Sequence, residues 1–212
     1  MTSRRIPMFL LIALAAMLLF IPQLGAVHLF DWDEVNFAEA SREMLITHNY
    51  SIPQINFEPF WEKPPLFFWM QVLSMKCFGV NEFAARFPNA VCGICTLLLL
   101  YHIGKKHVEE QFGLIWALVY AGSLLPHFYF KSGIIDPWFN FFIFLAVYQF
   151  SMYSRLKEHR QRKYIVLAGL YAGLAMMTKG PVALLVLGLT YGVYMLLSRF
   201  RRFIRLTDIL LF

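Results

Sequence analysis

Long apolar runs alternate with short polar segments along most of this chain. Six runs stand out: Ile6–Leu29, Ala84–Ile103, Phe112–Phe130, Pro137–Tyr153, Tyr164–Thr178 and Pro181–Leu197. A bilayer-spanning helix needs about 20 apolar residues, so the pattern predicts about six transmembrane helices. The first run far exceeds the core of a cleaved signal peptide, about 7–15 residues, and reads as an uncleaved signal anchor. Only Lys179-Gly180 separates the last two runs, which predicts a tight helical hairpin.

The exception to the alternation is the polar stretch from Phe30 to Phe83. Within it, Val35, Ala38, Arg42 and Leu45 fall on one helical stripe, which predicts an amphipathic helix over Asp33–Ile46 lying along the membrane surface. Asn49-Tyr50-Ser51-Ile52-Pro53 breaks it. Leu66–Phe78 is apolar and aromatic but too short to span, which predicts a second interfacial helix ended by Gly79 as a C-cap. Gly169-x-x-x-Gly173 and Gly188-x-x-x-Gly192 put small residues one turn apart, a pattern that permits close helix contact. The fold class is therefore all-α integral membrane, with about six transmembrane helices plus two interfacial helices in a long loop.

Composition agrees: the chain is 59% hydrophobic and only 15% charged, against about 25% charged for soluble domains. The net charge of +6 comes from cations clustered between the apolar runs. Arg4/Arg5, Lys105/Lys106, Arg155 to Lys163 and Arg199 to Arg205 lie at alternate ends of successive runs, so the positive-inside rule puts them, and the N-terminus, in the cytoplasm. The long loop, the turn at 131–136 and Lys179-Gly180 then face the outer side. No basic stripe with interleaved aromatics is present, which excludes nucleic acid as a partner. Cys77, Cys92 and Cys95 make neither a disulfide framework nor a zinc spacing. The closing Asp208-Ile-Leu-Leu-Phe212 resembles the opening of a further span, and the chain reads as the N-terminal part of a larger protein.

Chemistry has most room in the loop, where Asp31, Asp33, Glu34, Glu39, Glu43, Glu58, Glu62 and Glu82 face only Arg42, Lys63 and Lys76. Asp33 and Glu34 stand where the first run meets the outer surface. Either one caps a helix, or the cluster serves a cation or a substrate, since crowded carboxylates repel. Asp136, before Pro137, is an ionisable group at a bilayer boundary: a helix cap, or an acid with a task. Pro64-Pro65 keep Lys63 extended, and Lys63, Lys131 and Lys179 run against the positive-inside bias, so each is a candidate for binding phosphate. His28 and His48 flank the loop and are candidates to join Glu62 around a divalent ion.

Four ordered elements resemble a known superfamily. Asp33-Glu34 followed by Phe37-Ala38-Glu39-Ala40-Ser41-Arg42-Glu43-Met44, then Phe60-Trp61-Glu62-Lys63-Pro64-Pro65-Leu66, Asn81-Glu82-Phe83-Ala84-Ala85-Arg86-Phe87-Pro88, and Thr178-Lys179-Gly180-Pro181 are similar to motifs of the GT-C membrane glycosyltransferases of the protein mannosyltransferase and aminoarabinose transferase type (glycosyltransferase family 39-like). The resemblance implies transfer of a sugar from a polyprenyl-phosphate donor to a lipid, glycan or protein acceptor on the outer face of a bacterial cytoplasmic membrane. It implies Asp33 as catalytic base, Asp136 as the second acid and Lys63 at the donor phosphate; on the residues alone, Glu34 joins the acids, and Lys179 and Lys131 are further phosphate candidates. Glu62 is the candidate ligand for a divalent metal, and no cofactor is required by the sequence. Asn36 and Phe37 stand where aminoarabinose transferases tend to have Arg and Tyr, which weakens aminoarabinose as the sugar and lipid A as the acceptor. The superfamily's later spans and soluble C-terminal domain have no counterpart among these residues. Two readings from other classes stand beside this one: a transporter or flippase of lipid-linked sugars, and a non-catalytic GT-C-like module of an envelope assembly. Transporters place ionisable residues at the midplane, and the spans here carry almost none.

Overall fold

A computed structural model describes residues 7–30, 32–155 and 161–198. Asp31, Arg4/Arg5, Arg199 to Arg205, Asp208 to Phe212 and the middle of the 155–163 basic cluster lie outside the described residues. Among the described residues the fold is all-α apart from one small hairpin. In order the elements are α1 (Met8–Phe20), α2 (Trp32–Thr47), β1 (Gln54–Ile55), β2 (Glu58–Pro59), α3 (Leu66–Phe78), α4 (Glu82–His107), α5 (Glu110–Ala121), α6 (Leu124–Phe130), α7 (Asp136–Arg155), α8 (Gln161–Lys179) and α9 (Val182–Leu197). They form two compact units, one of residues up to Phe60 with Phe68–Pro137, the other of Trp61–Phe67 with residues from Trp138 onward.

Both helices expected in the loop are present, as α2 and α3, and Gly79 ends α3 at φ 81°. The spans differ from expectation. Among the described residues only α4 is both long and apolar enough to cross a bilayer unbroken. The expected span 112–130 is instead the pair α5 and α6, bent by 72°. The bend falls at Gly122-Ser123, where the Ser123 hydroxyl turns back to donate to the Val119 carbonyl (2.8 Å) and competes with helix continuation. The first span is cut short as well. Ile21 is still helical, but Pro22 has no N–H to continue the ladder, and Gln23 turns into the left-handed region at φ 65°. The 13 residues of α1 then rise about 20 Å, less than the roughly 30 Å of hydrocarbon. Helices α7 and α8 have the length to span, but Asn140 and Gln149 in one and Arg162 and Lys163 in the other lower their apolarity.

The first unit is organised around α4. Asn81 caps it by accepting the Ala84 amide (2.8 Å). Its small residues then admit neighbours. A Cβ on Gly104 would lie 2.5 Å from Gly113 Cα, so the backbones of α4 and α5 touch. A Cβ on Gly93 would strike the rings of Phe130 and Phe20, which pack edge to face at 5.1 Å. Ala38, Met75, Ala84 and Ala85 form the core where α2, α3 and α4 meet. Inside that junction Ser41 donates to Gln71 Oε1 (2.8 Å), and Gln71 Nε2 donates to the Ala85 carbonyl (2.9 Å). These buried polar groups are paired, which offsets their desolvation.

In the second unit α7, α8 and α9 pack through Ala146, Ala172 and Leu187. The expected hairpin is there: α8 ends at Lys179, Gly180 takes φ 72°, and its amide donates to the Met176 carbonyl (2.8 Å). Three glycines of the small-residue motifs face open space. A Cβ on Gly173, Gly188 or Gly192 would meet nothing within 4 Å.

Candidate functional site

The acidic start of α2 separates into two carboxylates with different surroundings. Asp33 is exposed, whereas Glu34 is 1% exposed. Glu34 turns inward to Arg86 of α4, itself 3% exposed, in a bidentate pair: Arg86 Nε donates to Oε1 (2.7 Å) and Nη2 to Oε2 (2.8 Å). Oε1 also accepts the Gly133 amide (2.6 Å) and Oε2 the Phe30 amide (3.0 Å). The remaining donors of Arg86 reach the carbonyls of Leu24 (2.7 Å), Val27 (2.7 Å) and His28 (3.0 Å). All five guanidinium N–H groups and about four carboxylate acceptor sites are thus in use. Removing one member of such a buried pair costs about 3–5 kcal/mol, because the other is left charged and unpaired.

In this arrangement the acceptor sites of Glu34 are taken by Arg86, Gly133 and Phe30, and Asp33 is the exposed carboxylate of the pair. Arg86 also eases the repulsion between Asp33 and Glu34, since it neutralises one of them. Arg86 stood in the sequence as part of a motif without a role. The available signal was an arginine near the start of a long apolar helix, where an unpartnered cation is costly.

Asp136 opens α7, is half-buried and has an interaction partner. The segment before it is held from two sides. Asn89 of α4 donates from Nδ2 to the Ser132 carbonyl and the Ile134 carbonyl, both at 2.6 Å. Between those carbonyls, the Gly133 amide donates to Glu34. Lys131 Nζ reaches the Pro22 carbonyl at 3.4 Å, at the turn that follows α1. Sequence reasoning found neither Asn89 nor Gly133, whose partners lie more than 40 residues away.

The loop between α2 and α3 contains a tight hairpin that the sequence pattern did not reveal. Gln54 pairs with Pro59 and Ile55 with Glu58, around Asn56 and Phe57 at φ 55° and 62°. Two positive φ values are what a two-residue hairpin turn of the primed type needs, and Phe57 is an unusual occupant. Its amide donates to Glu43 Oε2 (2.8 Å), which ties the turn to α2. On α2 Arg42 grips Glu39 through two hydrogen bonds, 2.8 Å from Nε and 2.5 Å from Nη2. The Arg42 guanidinium holds the Glu39 carboxyl below its ordinary range.

Within the second unit the structure brings the two lysine elements together. A Cβ on Gly180 would lie 3.9 Å from Pro64, so the Lys63-Pro64-Pro65 segment lies beside the Lys179-Gly180 turn. Lys63 is half-buried, and Lys179 sits over the Phe139 ring at 5.6 Å. Glu62 is exposed, and His28 pairs with Glu82 (3.0 Å). Among the described residues no three His, Cys, Asp or Glu side chains form a group that could hold a metal ion.

Comparison with known proteins places this geometry in a family. Residues 62–211 match the family described as dolichyl-phosphate-mannose-protein mannosyltransferase. The chain is 33% identical over 204 residues to an uncharacterized protein of Aquifex aeolicus, covering 95% of this chain and 45% of that one. It is 32% identical over 181 residues to an undecaprenyl phosphate-alpha-4-amino-4-deoxy-L-arabinose arabinosyl transferase of Pseudomonas fluorescens, covering 84% of this chain and 32% of that one. Among solved structures, ArnT from Cupriavidus metallidurans bound to undecaprenyl phosphate has the same fold, with a TM-score of 0.85 at 22% identity, over 95% of this chain and 38% of that one. The chain thus spans a third to under half the length of the curated relatives it matches. With four motifs in order, a matching fold and more than half its length in the family's pattern, the chain belongs to the dolichyl-phosphate-mannose-protein mannosyltransferase family of GT-C glycosyltransferases.

Proposed function

We propose that this chain is the N-terminal part of a glycosyltransferase that moves a sugar from a polyprenyl-phosphate donor to an acceptor hydroxyl at the outer membrane surface. The observation that carries the reading is the contrast at the start of α2, an exposed Asp33 next to a Glu34 locked to Arg86. A general base must be accessible and rigidly presented, and this pair provides both properties. Family membership and the polyprenyl-phosphate substrates in the relatives' names support the donor class.

In this reading the acceptor oxygen attacks the anomeric carbon, and the bond from that carbon to the phosphate oxygen breaks in a single displacement with inversion. The bonding pair leaves with the polyprenyl phosphate, and the acceptor proton passes to Asp33. Asp136 is the second acid. Lys63 and Lys179 supply positive charge to the departing phosphate, which is where negative charge grows. Lys131, held at the turn after α1, is a weaker candidate for that role. No step is routed through a metal.

The test is transfer of radiolabel from undecaprenyl-phosphate mannose and undecaprenyl-phosphate aminoarabinose in membranes carrying the product of the intact gene. Asp33→Asn should lower the turnover by about 10²–10⁴-fold. Lys63→Ala should raise the donor KM. Full transfer by Asp33→Asn, or no transfer by the wild type from either donor, would overturn the reading.

A further inference from the structure

Resting on that reading, we propose that Asn89 and Glu34 are positioning residues that hold residues 132–134, and through them fix the placement of Asp136 relative to Asp33. Three consecutive backbone groups are bound by side chains from other elements: the Ser132 carbonyl by Asn89, the Gly133 amide by Glu34 and the Ile134 carbonyl by Asn89, each at 2.6 Å. Asn89 is 0% exposed and Glu34 1%. The segment leads in two residues to Asp136, and Glu34 adjoins Asp33 in sequence. A single carboxylate therefore joins the stretch that carries one candidate acid to the stretch that carries the other.

Two further details distinguish this brace from ordinary packing. Asn89 Oδ1 is buried without a partner, a cost that an apolar side chain at this position would avoid. Asparagine at this site buys the double donation to the loop. Gly133 is a tight approach: a Cβ there would lie 3.1 Å from Glu34 Cγ and 3.3 Å from the Ala85 carbonyl, so a side chain requires the loop or Glu34 to give by a few tenths of an ångström.

The experiment uses the intact gene product in membranes, with the undecaprenyl-phosphate sugar that the wild type turns over. Asn89→Ala removes both donations. Gly133→Ala keeps every hydrogen-bonding group and only displaces the loop. Misplacement of a reacting group by about 1 Å costs on the order of 10²-fold, so Asn89→Ala should lose up to about that much kcat, and Gly133→Ala, whose loop shifts by less, a measurable part of it. Donor KM should stay near wild type, since the lysines are untouched. A purely structural brace would instead lower the amount of folded protein and leave the kcat of the folded fraction unchanged. If Asn89→Ala does not accumulate, Gly133→Ala alone decides. Wild-type kcat in the variants, with Asp33→Asn and Asp136→Asn inactive, overturns this inference and leaves the proposed function standing. Wild-type transfer by both aspartate variants overturns the two together.

Discussion

The junction of α2, α4 and the 131–135 segment and the α8–α9 hairpin are opposites in how they are held. At the junction, a buried ion pair and side chains from two helices satisfy backbone groups far away in sequence. The hairpin is held by Ala146, Ala172 and Leu187, and Leu184, Leu185, Leu189, Val193 and Leu197 of α9 are exposed. In the hairpin the small residues leave open space, whereas between α4 and α5 they bring backbones into contact. A glycine pattern alone therefore does not identify a packed interface. What matters is whether another backbone arrives, and that depends on the rest of the chain.

The sharpest way to break the contrast is at Arg86. Arg86→Met leaves the Glu34 carboxylate buried and alone, and should cost about 3–5 kcal/mol, read as a lowered thermal midpoint in detergent. Adding Glu34→Gln to that variant removes the stranded charge and should restore much of the loss; a double variant as unstable as the single one would contradict the pairing. Next in size is Gly104→Ala, whose Cβ would lie 2.5 Å from Gly113 Cα. Overpacking of this kind costs about 1–3 kcal/mol. Gly188→Ala, with nothing within 4 Å, should be neutral or stabilise by about 0.5–1 kcal/mol through helix propensity. Equal effects of the two alanines on the thermal midpoint would erase the distinction between the regions.

The smallest effect concerns pH. The Arg42 hydrogen bonds lower the Glu39 pKa, so the folded state binds this proton less readily than the unfolded state. Its stabilisation is present above the ordinary carboxylate range and is lost as pH falls through the lowered value. With both side chains about a third exposed, solvent screens the pair and the change should be modest. Glu39→Gln should flatten this part of the acid profile and leave the melting curve at neutral pH nearly unchanged.

What could be read from the sequence follows the range of the interactions. Local signals worked well: Leu66–Phe78 reads as a helix from its apolar run, with Gly79 as its stop, and Lys179-Gly180 reads as a turn because two apolar runs abut there. The failures have two origins. Pro22 and Gly122-Ser123 are breakers within apolar runs, and hydropathy alone passes over them, so it predicts a longer first helix and a straight 112–130 span. The Arg86, Asn89 and Gly133 contacts link residues 43 to 99 positions apart, and no local pattern specifies them. Motif resemblance placed Asp33, Glu34 and Lys63 in view, but only the fold separates Glu34, whose carboxylate is saturated, from its exposed neighbour.

The four bonds to Glu34 also set an order of assembly. Its carboxylate leaves the ribosome 52 residues ahead of Arg86 and 99 ahead of Gly133. At synthesis rates of about 5–20 residues per second, the charge waits several seconds for its cation and longer for its last donor. During that interval the start of α2 must remain in water or the headgroup region, since hydrocarbon offers no partner. Closure of this junction is consequently a late event in biogenesis, and its timing is set by the partners of a single glutamate.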